Sequence, residues 1–346
     1  MRIVDVANRG LWMPSIIIVG GFYGDEGKGK IVSYIAEKDD SSIAVRGGVG
    51  PNAGHSIVWH GRTFRLRMLP SAFVNPKTQL LIGPGVLVNP DVFLKEVKEL
   101  GVGDRCGLDP LCAIIEQKHI DLDRGSDHLR GKIGTTGTGT GPCNVDRVNR
   151  IVRLARDLPE LNDYVTDVPL AVNRALEKGE NVLVEGTQGT YLSLFHGSYP
   201  FVTSKDVTAS SIAADVGLGP TNIDKVLTVF KAYVTRVGAG YLKDELSPEE
   251  AARRGWAEYG TVTGRQRRAA PFDYDLAKRA VMLNGATEIA LTKMDIVYND
   301  VKGVTTFEAL PPAAKAFIEK VEAETGVPVT LIGTGPGVNE VIDRRI

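Results

Sequence analysis

Seven residues, Gly24-Asp25-Glu26-Gly27-Lys28-Gly29-Lys30, put a glycine-rich turn, two lysines and two carboxylates side by side. They follow the apolar run Ile16 to Val19, which reads as a buried strand, and precede Ile31 to Ala36, which reads as a helix. Strand, glycine turn and helix in that order aim backbone N–H groups and a helix N-terminus at a phosphate. Lys28 and Lys30 have the reach to meet phosphate oxygens. Asp25 does not belong in a plain anion loop, because it repels a nucleotide. Its place there calls for a metal ion, a substrate proton, or both. Gly24 to Lys30 fits G-x-x-x-x-G-K, but the next residue is Ile31, where a Ser or Thr would anchor Mg²⁺. Asp25 offers a hard oxygen in its place.

A second chemical cluster is Asn52-Ala53-Gly54-His55. It comes after the apolar segment Ser42 to Arg46 and a glycine turn. In a parallel sheet, loops at neighbouring strand ends lie together, so His55 is expected near the first loop.

The elements that position these loops are legible as short apolar runs. Strands are predicted at 16–19, 43–45, 80–82, 182–184, 226–230, 289–292 and 329–332. Helices are predicted at 91–100, 248–254, 274–283 and 312–325. Their alternation predicts an α/β fold with a mainly parallel central sheet flanked by helices and ligands at the strand C-terminal ends. No linker is rich enough in Pro, Gly or Ser to divide the chain. Residues 14–346 are expected to be one domain, with 1–13 an N-terminal extension that is disordered or not native.

The 346 residues carry 41 Lys+Arg against 42 Asp+Glu, so there is no basic excess to bind nucleic acid. Three cysteines, Cys106, Cys112 and Cys143, show no C-x-x-C spacing, which argues for a reducing cytoplasm and against a zinc site. No apolar stretch reaches the roughly 18 residues of a membrane span. Asp5, Asn8 and Pro14 interrupt any signal-peptide core.

The two loops resemble adenylosuccinate synthetase, and further motifs follow in that family's order. These are Lys132 to Gly137, Glu185-Gly186-Thr187-Gln188-Gly189, Tyr199 to Ser204, Thr235 to Gly240, Thr263-Gly264-Arg265-Gln266-Arg267-Arg268, Leu291 to Asp295 and Gly333-Thr334-Gly335-Pro336. The resemblance runs from about Ser15 to the C-terminus and implies a P-loop-type nucleoside-triphosphatase fold. Segments 150–185 and 293–333 are short, as in the compact archaeal form. The loop after Thr136 reads Gly-Thr-Gly-Thr-Gly where many members carry an Arg.

The resemblance implies that GTP, IMP and L-aspartate give adenylosuccinate, GDP and phosphate through 6-phosphoryl-IMP. Asp25 is then the base that takes the N1 proton, His55 the donor at O6, and Lys28 the cation at the phosphoryl group. Asp25 and the Gly54 carbonyl would hold one Mg²⁺ per subunit. Asp25, Lys28, Asn52, His55, Thr136, Gln188, Thr203 and Arg265 would contact IMP, with Arg150 supplied across a homodimer interface. Thr261, Thr263, Gly264, Arg265 and Arg267 would bind aspartate. Gly24, Glu26, Gly27, Lys28, Gly29, Lys30, Gly54 and Arg267 would line the GTP phosphates and ribose. Lys293 and Asp295 resemble a guanine-reading N-K-x-D element, with Gly333, Thr334 and Gly335 closing the base pocket.

Two rival readings have distinct signatures. A sister enzyme acting on dGMP lacks the loop aspartate and typically carries serine, since a carboxylate at N1 would meet the 2-amino group. A regulatory GTPase needs Ser or Thr at position 31 and a D-x-x-G switch; Asp104-Arg105-Cys106-Gly107 fits that string literally.

Overall fold

The apolar run at 16–19 becomes β1 (Ser15–Gly20), buried continuously from Ile17 to Gly20. The structure, a computed structural model, describes residues 15–260 and 264–345. The extension 1–13 and the candidate residues Thr261 and Thr263 lie outside the described residues.

Chain order continues with β2 (Ile43–Arg46), the hairpin β3 (His55–Trp59) and β4 (Arg62–Leu66), β5 (Gln79–Ile82), β6 (Leu87–Val88), β7 (Cys106–Leu108) and β8 (Ala113–Ile114). It ends with β9 (Val182–Glu185), β10 (Lys225–Lys231), β11 (Tyr233–Arg236), β12 (Arg268–Pro271), β13 (Glu288–Thr292), β14 (Val329–Gly333) and β15 (Val341–Asp343). Nine of these form one sheet in the order β15-β14-β13-β10-β1-β9-β2-β5-β7. All neighbours pair parallel except β14 with β15. Both faces are covered, which is why the strands read as continuous apolar runs rather than alternating ones. Ile18 faces a cluster with Ile31, Val32 and Ile35, while Ile17 and Val19 face another with Val45, Val184 and Ile212.

β1 is the switch point of the sheet. Strands β9, β2, β5 and β7 lie on one side of it, and β10, β13, β14 and β15 on the other. Ligands in open α/β sheets bind at such a point, beyond the strand C-termini. The glycine loop leaves β1 there and enters α1 (Lys28–Lys38). The helix expected from Ile31 therefore begins three positions earlier, which puts Lys28 and Lys30 in its first turn. Further helices include α2 (Pro90–Leu100), α3 (Gln117–Gly125) and α4 (Thr140–Asn149). The ends of α2 follow from its caps. The Asn89 side chain accepts from Val92 N at 3.0 Å, Pro90 opens the first turn, and Gly101 closes the helix at φ 65°.

The D-x-x-G string lies far from this point. Asp104 is in the short turn Gly103–Arg105 that precedes β7, so it stands at the N-terminal end of an edge strand. The glycine loop is at the C-terminal end of a central strand. The literal match is not a switch.

Candidate active site

The loop between β1 and α1 holds its shape through Glu26. Its buried carboxylate accepts from Gly24 N at 2.7 Å and Phe22 N at 3.1 Å, and it pairs with Lys28 Nζ at 2.8 Å. Lys28 also donates to the Gln188 carbonyl. Thr292 Oγ1, at the end of β13, donates to the Glu26 carbonyl at 2.6 Å. The loop is thereby fixed to strands on both sides of β1. Gly24, Asp25 and Gly27 have φ of 91°, 57° and 87°. Glycine suits this left-handed region and aspartate tolerates it.

Several expected ligand residues are turned inward. The Glu26 side chain shapes the loop instead of facing solvent. Lys30 was expected at phosphate; its Nζ donates to the carbonyls of Gly335 at 2.5 Å and Glu340 at 2.7 Å. Burial pushes this amine down to about 8, against the pull of Glu340 and Asp295. Asp25 is partly exposed and forms an ion pair with the buried Arg267. Burial holds the Arg267 guanidinium down to about 10. The glycine loop and Arg267 therefore meet at the candidate base.

His55 opens β3 against the first turn of α1. A Cβ at Gly29 would come within 3.0 Å of His55 Cβ and 2.9 Å of Ser71 Oγ, so only glycine permits this approach. The ring Nδ1 contacts Glu185, and Arg46 Nη1 lies 2.8 Å from it. Burial, with Arg46 beside it, pushes the imidazole down to about 4 despite Glu185. Burial works against the Glu185 charge too, but His55, Arg46 and the Ser71 N–H hold its carboxyl down to about 2.

The remaining candidates form small groups of their own. Asn52 Nδ2 donates to Thr203 Oγ1 at 3.2 Å, and Asn144 of α4 donates to Ser204 Oγ at 2.8 Å. Thr136 Oγ1 is 3.0 Å from Thr138 Oγ1, and Arg265 Nη2 donates to Gly134 O at 2.7 Å. Gln188 is held at φ 51°. Asn52 Oδ1, Gln188 Oε1 and Thr334 Oγ1 are buried without a hydrogen-bond partner among the described residues. Buried polar atoms are rarely left so unless water, an ion or a ligand meets them. Lys293, at φ 60°, and Asp295 begin the short helix Met294–Val297 beyond β13, while Gly333 ends the neighbouring β14 and Thr334 and Gly335 follow it. Gly264 N donates to Gly260 O at 2.8 Å. Arg150 is different: it caps α4 at φ 63° and is exposed, away from these contacts.

Glu185, Arg46, Ser71 and Glu258 were not singled out as site residues from the sequence. Glu258 takes Lys231 Nζ at 2.8 Å and the Tyr233 hydroxyl, with Lys293 Nζ at 3.8 Å and Arg267 Nε at 3.9 Å. It ties Lys293, beyond β13, to Arg267. Its only sequence signal is a carboxylate two positions before the Gly260 turn.

The donor set fits a substrate-borne magnesium. Asp25 offers one partly exposed carboxylate, and among the described residues no group of three or more His, Cys, Asp or Glu could hold a metal by itself. Mg²⁺ commonly takes one or two carboxylates and fills its octahedron with water and phosphate oxygens.

A family model described as adenylosuccinate synthetase matches residues 17–162 and 151–300. An adenylosuccinate synthetase from Archaeoglobus fulgidus is 58% identical over 96% of this chain and 99% of its own. One from Methanocaldococcus jannaschii is 56% identical over 95% and 96%. Among solved structures, fully ligated adenylosuccinate synthetase from Plasmodium falciparum superposes with a TM-score of 0.88 at 24% identity, over 96% of this chain and 100% of that one. The cyanophage S-2L succinoaminodeoxyadenylate synthetase, bound to dGMP and dATP, gives 0.79 at 27% identity over 97% and 96%.

Proposed function

The chain belongs to the adenylosuccinate synthetase family, and from that premise we propose how its own residues carry out the reaction. It is a C–N ligase that uses GTP to join IMP and L-aspartate, giving adenylosuccinate, GDP and phosphate. The observation that carries the site assignment is the close pass of Gly29 against His55. It brings the phosphate loop and a buried histidine to one point.

Hypoxanthine O6 is a poor leaving group until it is phosphorylated. Asp25 takes the N1 proton, which makes O6 nucleophilic toward the γ-phosphorus. Arg267 must release Asp25 for this, and the GTP phosphates offer the guanidinium another anion. Lys28, already in the loop, balances charge on the phosphoryl group. His55 meets O6 through Nε2, because Nδ1 is engaged by Glu185. Burial keeps the ring neutral, and the negative charge of two phosphate-bearing substrates favours its protonated, donating form. The aspartate amine then displaces phosphate at C6 while Arg265 clamps its carboxylate. Asp25 and the Gly54 carbonyl would hold Mg²⁺, which when bound neutralises triphosphate charge. In this reading Asn52 and Gln188 meet IMP, and Asp295 and Thr334 meet guanine.

A homodimer completes the site with Arg150. Val145, Val148 and Ile151 are 59%, 76% and 64% exposed at three-residue spacing beside it. An apolar patch of this kind fits a two-fold contact with a second copy. The cytoplasm fits the free Cys106, Cys112 and Cys143, and among the described residues no helix is long and apolar enough to cross a membrane.

The dGMP reading has one structural observation in its favour, the 0.79 superposition, but Asp25 would face the 2-amino group. An assay with IMP or dGMP, aspartate, and GTP or ATP separates the two. Product from IMP with GTP is expected; preferential use of dGMP would overturn the assignment.

A further inference from the structure

The carboxylate of Glu185 is fully buried at the C-terminal end of β9 and accepts from four donors. Arg46 Nη1 lies 2.9 Å from Oε1, Ser71 Oγ 2.7 Å from the same oxygen, and Ser71 N 2.6 Å from Oε2; His55 Nδ1 is the fourth. A buried carboxylate is costly unless it is paired and hydrogen-bonded this fully. The backbone sets the arrangement. Arg46 and Glu185 are register partners on the adjacent parallel strands β2 and β9, and Ser71 begins the turn Ser71–Val74 that packs on α1. Among the described residues, Arg46 and Ser71 touch neither the loop aspartate nor the phosphate lysine's partners, and Glu185 enters the reaction only as the contact of His55 Nδ1.

Three donors converge on Oε1, which explains why Arg46 Nη1 and His55 Nδ1 lie only 2.8 Å apart. Nδ1 cannot accept from Arg46 and still face a carboxylate, because its lone pair would then meet the Glu185 oxygen. The proton is therefore on Nδ1. A histidine whose second nitrogen is fixed in this way has one tautomer and one ring orientation.

We propose that Glu185, locked by Arg46 and Ser71, is a positioning residue that fixes the His55 ring and presents Nε2 to the oxygen undergoing phosphoryl transfer. Gly29 adds to the restraint, since α1 closes on the ring from the other side with no side chain between. This rests on the reading of His55 as the group at O6.

Steady-state kinetics on His55→Asn, Glu185→Gln and the double variant test it. Gln keeps the shape and an accepting oxygen but loses the charge. Glu185→Gln should lose roughly 10²-fold in kcat, as expected when a catalytic donor is misplaced, with KM for IMP and GTP nearly unchanged. If Glu185 acts only through His55, the double variant should be no slower than His55→Asn, within about threefold. Multiplied losses would overturn the proposal and leave the His55 reading intact, as would a Glu185→Gln enzyme of wild-type rate. His55→Asn of near wild-type rate would remove the premise instead. Should Glu185→Gln fail to fold, nitrogen NMR on the wild-type protein decides, with the His55 signal assigned by its loss in His55→Asn. A protonated Nδ1 and bare Nε2 support the proposal; the opposite tautomer overturns it.

Discussion

Lys30 and Gly335 are 305 positions apart, yet the lysine Nζ donates to the glycine carbonyl across 2.5 Å. The P-loop lysine by motif is thus a strut for the loop that follows β14, on the proposed guanine side of the site. Its second bond, to Glu340 O at 2.7 Å, holds the far end of the same loop.

Lys30→Met should therefore raise KM for GTP about tenfold, as loss of a charged hydrogen bond does, while KM for IMP changes little. Equal effects on both substrates would show a general phosphate role. Stability carries a second signature. Lys30 titrates at about 8 when folded, and near about 10.4 when unfolded. Between those values the unfolded chain holds more protons, so stability from this residue rises with pH. Below about 8 its buried charge costs the most. The melting temperature of wild type relative to Lys30→Met should climb from pH about 8 to about 10. A constant difference across that window would contradict the buried-amine account.

Asp25→Asn should cost roughly 10²-fold or more in kcat without loss of fold, because an amide cannot take the N1 proton. Arg267 loses its ionic partner in this variant, so circular dichroism should accompany the assay. Activity within about tenfold of wild type would remove the base assignment.

Asp295→Asn should weaken GTP selectively, on the order of 2–4 kcal/mol, because a base pocket punishes unpaired polar groups. The readout is the ratio of kcat/KM for GTP between variant and wild type. Unchanged use of GTP would place the guanine pocket elsewhere.

Much of the fold was legible because fully buried parallel strands write themselves as short apolar runs. All seven predicted strands are in the nine-stranded sheet. The two missed strands are its edges, Cys106–Leu108 and Val341–Asp343, three residues each and too short to show a pattern. Helix Val168–Glu177 was also missed, although Asp167 caps Leu170 N at 2.9 Å and Pro169 lies in the first turn. The site motifs fixed where backbone loops go but not where side chains turn. Glu26 and Lys30 look alike in the sequence to phosphate ligands, and only packing shows them facing inward. Glu185 was visible as a motif member, but its partners Arg46, His55 and Ser71 come from separate elements that no local spacing could unite.

Arg150 supplies a test of shared sites. Arg150→Leu and Asp25→Ala should each be inactive alone. Refolded together at equal amounts, half the dimers should be mixed with one intact site of two, giving roughly a quarter of wild-type activity if pairing is random. No recovery, with both variants folded and exchanging subunits, would place Arg150 within its own chain's function or outside function altogether.

If O6 of IMP attacks phosphorus, this oxygen must leave with the phosphate. IMP carrying a heavy oxygen isotope at O6, turned over with GTP and aspartate, tests it directly by mass spectrometry of the released phosphate. Every phosphate formed with adenylosuccinate should carry the label. Unlabelled phosphate at full adenylosuccinate yield would contradict it, because GTP hydrolysis and C–N bond formation would then not pass through O6.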